Sequence, residues 1–93
     1  MDKERVLLAD LEFDEFKVKY YVLKAVGFGI GIKQTAPTGE ISEDFVYDIF
    51  GVYEEAKAFT KLMADNYVLS ESLREILSDY FEEKINFSKD CLL

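Results

Sequence analysis

The stretch Leu7-Leu8-Ala9-Asp10-Leu11-Glu12-Phe13-Asp14-Glu15-Phe16-Lys17-Val18-Lys19-Tyr20-Tyr21-Val22 alternates with period two on either side of an acidic pair. Leu7, Ala9, Leu11 and Phe13 fall on one side, and Asp10 and Glu12 on the other. After Asp14-Glu15 the pattern resumes, with Phe16, Val18, Tyr20 and Val22 on one side and Lys17 and Lys19 opposite. Alternation of this kind marks a strand buried on one face, and two such runs joined by two polar residues predict a β-hairpin with a tight acidic turn. The hairpin sets acids across from lysines on its solvent side. Each such pair is worth a few tenths to about 1 kcal/mol, enough to favour one register and too little to hold a fold.

Beyond the hairpin, Gly27-Phe28-Gly29-Ile30-Gly31-Ile32-Lys33 lines Phe28, Ile30 and Ile32 on one face and glycines on the other. Ala36-Pro37-Thr38-Gly39-Glu40 has the Pro and Gly punctuation of an exposed turn, and Phe45, Tyr47 and Ile49 then predict a short fourth strand. From Gly51 the period is that of a helix. Val52, Ala56, Phe59 and Met63 recur at helical spacing with Leu62 beside them, while Glu54, Lys57, Lys61 and Asp65 lie opposite. Glu54 and Glu55 suit the positive end of the helix dipole, and Asn66 is the expected left-handed terminator of a helix over residues 52–65.

After the link Tyr67-Val68-Leu69, Ser70 or Ser72 is the expected N-cap of a second helix, Ser72 and Glu75 having capping-box spacing. Its stripe of Leu73, Ile76, Leu77, Tyr80 and Phe81 has the breadth of a core-facing helix. So short a link makes the two helices an antiparallel pair on one face of the sheet. The expected fold is α+β, an antiparallel β-meander of three or four strands followed by an α-helical hairpin packed on one face. Residues 1–87 form the single domain, with a contact from Ile85 or Phe87 near its end, and residues 88–93 form a loose C-terminal tail.

Ninety-three residues suffice for one core, and 49% hydrophobic residues with 15% aromatics are too many for a disordered segment. Histidine and tryptophan are absent and Cys91 is the one cysteine. Histidine acid–base chemistry, Ser-His-Asp and Cys-His triads, disulfide frameworks and Cys/His zinc sites are therefore excluded. Cys91 stands third from the end where prenylation needs it fourth, and it reads as a free thiol in a reducing cytoplasm. No apolar stretch approaches the roughly 20 residues that span a bilayer, so the expectation is a cytoplasmic protein. Nineteen acids against eleven bases give a net charge of −8. The first 35 residues hold six of each, so the excess lies in residues 36–93, with thirteen acids and five bases. That balance repels phosphate backbones and anionic lipids, and neither direct nucleic-acid nor membrane binding is expected.

Gly27, Gly29 and Gly31 form G-x-G-x-G, but a phosphate loop needs a turn that opens into a helix, whereas these glycines sit inside a strand. They read as a bare strand face on which an aromatic such as Tyr21 lies or another backbone approaches; as a functional feature, they read as a groove that recruits a partner strand. No EF-hand loop is present, and Asp44 and Asp48 share a face only in a regular strand. No catalytic residue, metal or cofactor is expected. On the second helix Glu71, Glu75, Asp79 and Glu82 lie within about 80° of one another at about 100° per residue. Their spacing of about 5 to 6 Å is near the phosphate repeat of a nucleic-acid strand, although an acidic run is ordinarily a solvated face. The pairs Glu71/Glu75 and Glu75/Asp79 cost about 0.2 to 0.5 kcal/mol each as like charges one turn apart. Tyr21, Tyr53 and Tyr67 fall outside the periodic stripes and are candidate partner contacts.

Phe28-Gly29-Ile30-Gly31-Ile32, then Val46-Tyr47-Asp48-Ile49, then a helix to Asn66, then Leu73-Arg74-Glu75-Ile76-Leu77-Ser78-Asp79-Tyr80-Phe81 follow in order over roughly residues 10–83. This order resembles a family of short proteins of unknown function found mainly in clostridial bacteria, with Ser70 and Ser72 standing where that family has a proline and a histidine. The resemblance implies the same fold and a bacterial source, and it brings no activity. The expected function is a small acidic protein–protein interaction module without catalytic activity, using Tyr21, Gly29, Gly31, Tyr53 and Tyr67, with homodimerisation through the uncovered sheet face as their simplest use. The alternative is an acidic nucleic-acid mimic of the phage or mobile-element anti-defence type, whose Glu71, Glu75, Asp79 and Glu82 block the basic channel of a nucleic-acid-binding protein.

Overall fold

The computed structural model describes the backbone of residues 4–92 and the side chains of residues 4–82. Strands β1 (Glu4–Phe13), β2 (Phe16–Lys24), β3 (Phe28–Thr35) and β4 (Ile41–Phe50) form one antiparallel sheet in the order β1-β2-β3-β4. Helices α1 (Tyr53–Asp65) and α2 (Leu73–Leu92) follow and pack on one face of it. The α+β meander expected from the sequence is thus present with four strands. The backbone of residues 88–92, expected as a loose tail, continues α2 as its last part, while the expected contact of Ile85 or Phe87 and the Cys91 thiol lie outside the described side chains.

The first hairpin closes at the pair Phe13/Phe16, with Asp14 and Glu15 both at positive φ, 50° and 66°. Two such residues make the mirror-image turn whose twist matches that of the strands. Between β3 and β4, Gly39 at φ 92° donates its N–H to the Ala36 carbonyl at 2.8 Å, and Pro37 holds the second turn position. The core face of the sheet presents Val18, Tyr20, Val22, Ile30, Ile32 and Phe50. Onto it pack Ala56, Phe59, Met63 and Ala64 of α1, then Leu73 and Leu77 of α2. The valine, leucine, isoleucine, phenylalanine and methionine side chains among these each contribute about 1.5 to 3 kcal/mol when fully buried. Rings close one end of this layer, Phe59 on Tyr80 at 4.8 Å and Phe50 on Phe81 at 5.6 Å between centroids.

Two strands depart from simple alternation. A bulge between Leu7 and Ala9 changes the phase of β1, so that Ala9, Leu11 and Phe13 face the core while Leu7 turns to the other side, 49% exposed. In β4 the register jumps from Ile30/Val46 to Phe28/Phe50. Val46 and Ile49 therefore pack on the core and Phe45 does not, and the single face Phe45-Tyr47-Ile49 does not form. Asp48 lies in this bulge at φ 56° and accepts the Gly27 N–H at 2.8 Å, so it does not share a regular strand face with Asp44.

The helix ends also differ from expectation. Val52 is an exposed N-cap and Leu62 is also exposed, while Tyr53 and Thr60 turn inward. At the end of α1 Asn66 has φ −103° and the left-handed residue is Tyr67, φ 54°. The N–H groups of Tyr67 and Val68 donate to the carbonyls of Ala64 and Met63, the Schellman closure, which needs its left-handed residue one place later than Asn66. Ser70 and Ser72 form a 3-10 turn before α2, and the buried Ser70 serves as an anchor, its N–H donating to Gln34 Oε1 at 2.7 Å. Tyr20 adds a second tie, its hydroxyl donating to the Val68 carbonyl at 2.8 Å.

Candidate functional site

The face of the sheet turned away from the helices is organised in rows that cross the strands. One row is Leu7, Tyr21, Gly31 and Phe45, successive partners from β1 to β4. Beside it run Arg5, Leu23 and Gly29. Towards the hairpin turn follow Asp10, Lys19, Lys33 and Glu43, then Glu12, Lys17, Thr35 and Ile41. The apolar and the charged halves of this face are thus neighbours along the same strands.

The apolar half is built on the two buried glycines. A Cβ on Gly31 would strike the Cδ1–Cε1 edge of the Phe45 ring, and one on Gly29 would strike the Val46 carbonyl oxygen and lie 2.8 Å from Tyr47 Cα. Gly31 therefore lets Phe45 lie down across the strand, and Gly29 admits the backbone of the β4 bulge. Tyr21 meets the Phe45 ring edge-on at 6.1 Å between centroids, and the Arg5 guanidinium carbon stands 4.2 Å from the centre of the same ring. Leu23 is fully buried here although no helix covers this face.

The charged half contains two adjoining cavities. One of about 310 Å³ is lined by Glu15, Lys17, Thr35, Ala36, Pro37 and Gly39; the other, of about 170 Å³, is lined by Lys17, Lys19, Lys33, Thr35 and Ile41. Lys19 and Lys33 are direct cross-strand partners, an arrangement of like charges that is destabilising. Arg74 pairs with Asp44 elsewhere on the molecule, and none of these lysines has a carboxylate within 4.0 Å.

The residues proposed from sequence are distributed over several surfaces. Tyr21 belongs to the apolar row, with Gly31 beneath Phe45 and Gly29 against the β4 backbone. The aromatic covering Gly31 is thus Phe45, with Tyr21 at its edge. Tyr53 lies on the helical side against Phe28, with Lys24 Nζ 4.8 Å from its ring centre. Tyr67 is 60% exposed beside Phe13, near the first hairpin turn. The three tyrosines therefore do not make one surface, and β3, hydrogen-bonded on both sides, has no free edge for an added strand. Glu75, Asp79 and Glu82 are exposed on α2. Glu71 precedes the helix in the 3-10 turn and is exposed as well, one of its oxygens accepting Gln34 Nε2 at 3.1 Å. Arg74 lies in the same stretch and grips Asp44 with both Nε and Nη2 at 2.9 Å. That hydrogen bond, and then the Asp44 charge, hold the guanidinium pKa above its ordinary value.

Leu7, Phe45 and the lysine trio are the members of this surface that sequence reasoning missed. Glycines facing outward from a strand were the available signal for a covering ring, but only the register identifies it. Among the described residues no three acidic or thiol groups come together to hold a metal ion, and no helix is long and apolar enough to cross a membrane. Comparison of the chain with protein-family models, with curated proteins and with solved structures gave no match.

Proposed function

We propose that this protein is a non-catalytic interaction module that binds another protein through the helix-free face of its sheet. The observation that carries the reading is the row Leu7, Tyr21, Gly31 and Phe45, in which a half-exposed leucine adjoins two aromatic rings. Ring-on-ring contact and the adjacent Arg5 restrict Phe45 and Tyr21 before any partner arrives, which lowers the entropy cost of association. Tyrosine, phenylalanine and arginine are also the residues enriched at protein interfaces.

The test is photo-crosslinking in cells from a reactive residue placed at Leu7, compared with one at Lys61 on α1. A discrete adduct from position 7 that disappears with Tyr21→Ala supports the reading, whether the partner is a different protein or a second copy. Adducts from Lys61 alone reject it. The acidic-mimic reading keeps the exposed carboxylates Glu75, Asp79 and Glu82 on α2, with the exposed Glu71 tied to Gln34 beside them, and makes a different claim. Its binding would be salt-sensitive and lost in Glu75→Lys/Asp79→Lys/Glu82→Lys with the sheet face intact.

A further inference from the structure

We infer that the segment docking on the sheet face is acidic as well as apolar, its carboxylates entering the cavity lined by Lys17, Lys19, Lys33 and Thr35; this inference rests on the reading of that face as the interaction surface. Three lysines converge there in a chain whose net charge is −8. Lys19 faces Lys33 directly across the strands, and an anion between them would relieve that repulsion. Asp10, Glu12 and Glu43 lie at the ends of the same rows, on the edge strands, and none of them lines this cavity or pairs with a lysine within 4.0 Å. Thr35 adds a hydroxyl to the cavity wall.

The spacing defines the occupant. Lys19 precedes Tyr21 by two residues on β2, and Lys33 follows Gly31 by two on the antiparallel β3, so both lie one step of about 7 Å in an extended strand towards the hairpin turn. An extended segment along this groove with an apolar residue over Tyr21 and Phe45 therefore brings its next same-side residues, two and four further on, over the lysines. Acids at those positions complete the charge match, which sets orientation and partner choice.

The experiment uses two fluorescein-labelled peptides, Leu-Thr-Phe-Thr-Glu-Thr-Glu-Thr-Glu and the same peptide with Gln for every Glu, titrated with the full chain by fluorescence anisotropy. The Glu peptide is expected to bind at least tenfold tighter at low salt, with the advantage shrinking in high salt. Lys17→Glu/Lys19→Glu/Lys33→Glu should abolish it, and Lys57→Glu/Lys61→Glu on α1 should leave it intact. If the triple variant does not fold, Lys19→Gln/Lys33→Gln gives the same reading through a partial loss. Equal binding of both peptides, weakened by Leu7→Glu, overturns the acidic partner and leaves the sheet-face reading standing. Absence of binding, or binding indifferent to Leu7→Glu and to the lysines, overturns both. Lysine-dependent sedimentation with phosphatidylserine vesicles while the peptides stay unbound replaces the acidic segment with an anionic lipid surface.

Discussion

The backbone N–H of Ser70 donates to Gln34 Oε1 at 2.7 Å across 36 positions of chain, tying the link between the helices to the sheet. The other end of the same side chain donates to Glu71 Oε2 at 3.1 Å, so one buried amide serves two partners on the link. Gln34→Leu keeps the bulk and leaves the Ser70 N–H without its acceptor. The expected loss is about 1 to 3 kcal/mol, the cost of an unsatisfied buried donor, read from urea denaturation. A variant as stable as the parent would show that another acceptor takes over.

Gly29 and Gly31 should differ when each is changed to Ala. The added methyl at Gly29 meets β4 backbone, which cannot move aside, whereas at Gly31 it meets the Phe45 ring, which can swing away. Gly29→Ala should therefore cost about 1 to 3 kcal/mol as an overpacked site, and Gly31→Ala clearly less. Thermal melts order the two. Nuclear Overhauser contacts between Tyr21 and Phe45 should weaken only in Gly31→Ala.

Burial pushes the Tyr20 phenol up to about 12. Its neutral form is therefore favoured in the folded chain, relative to an unfolded value near 10. The stabilisation is complete below pH 10 and is lost as pH rises from about 10 to 12, because over that window the folded state holds the proton that the unfolded state has released. Tyr20→Phe should flatten this alkaline decline while costing about 0.5 to 1.5 kcal/mol at neutral pH for the hydrogen bond to Val68. Denaturation at pH 7 and at pH 11 measures both effects.

The first hairpin turn holds two residues at positive φ, neither of them glycine or asparagine. Asp14→Asn/Glu15→Gly supplies the preferred pair for this turn, and relief of the left-handed cost should raise stability by about 1 kcal/mol. An increase in the melting temperature checks it, and a decrease would mean that the greater freedom of glycine in the unfolded chain outweighs the relief.

The strands and helices were legible because periodicity is local: the alternation from Ala9 to Val22 and the stripe from Leu73 to Phe81 each report one buried face. What stayed hidden depends on partners far along the chain. A single extra residue at Leu8 inverts the side on which Leu7 lies, and no composition rule marks it. Phe45 looked like a core residue by its spacing with Ile49 until the Asp48 bulge placed the two on opposite sides. Glu71 belonged to a helical row by arithmetic, but the helix starts at Leu73 and Gln34 reaches across the fold to hold that carboxylate. The glycine strip indicated an unusual face, while its covering ring became visible only once the register was known.

The bulges at Leu8 and at Tyr47–Ile49 fall on β1 and β4, the two strands that leave an edge of the sheet unpaired. A regular edge offers a straight ladder of N–H and C=O groups to any passing strand, and a bulge breaks and twists that ladder. Crowded copies of this chain therefore meet two interrupted edges, regular only over short stretches such as Ala9 to Phe13 and Ile41 to Val46. Removing Leu8 would straighten β1 and join its two regular stretches into one longer edge.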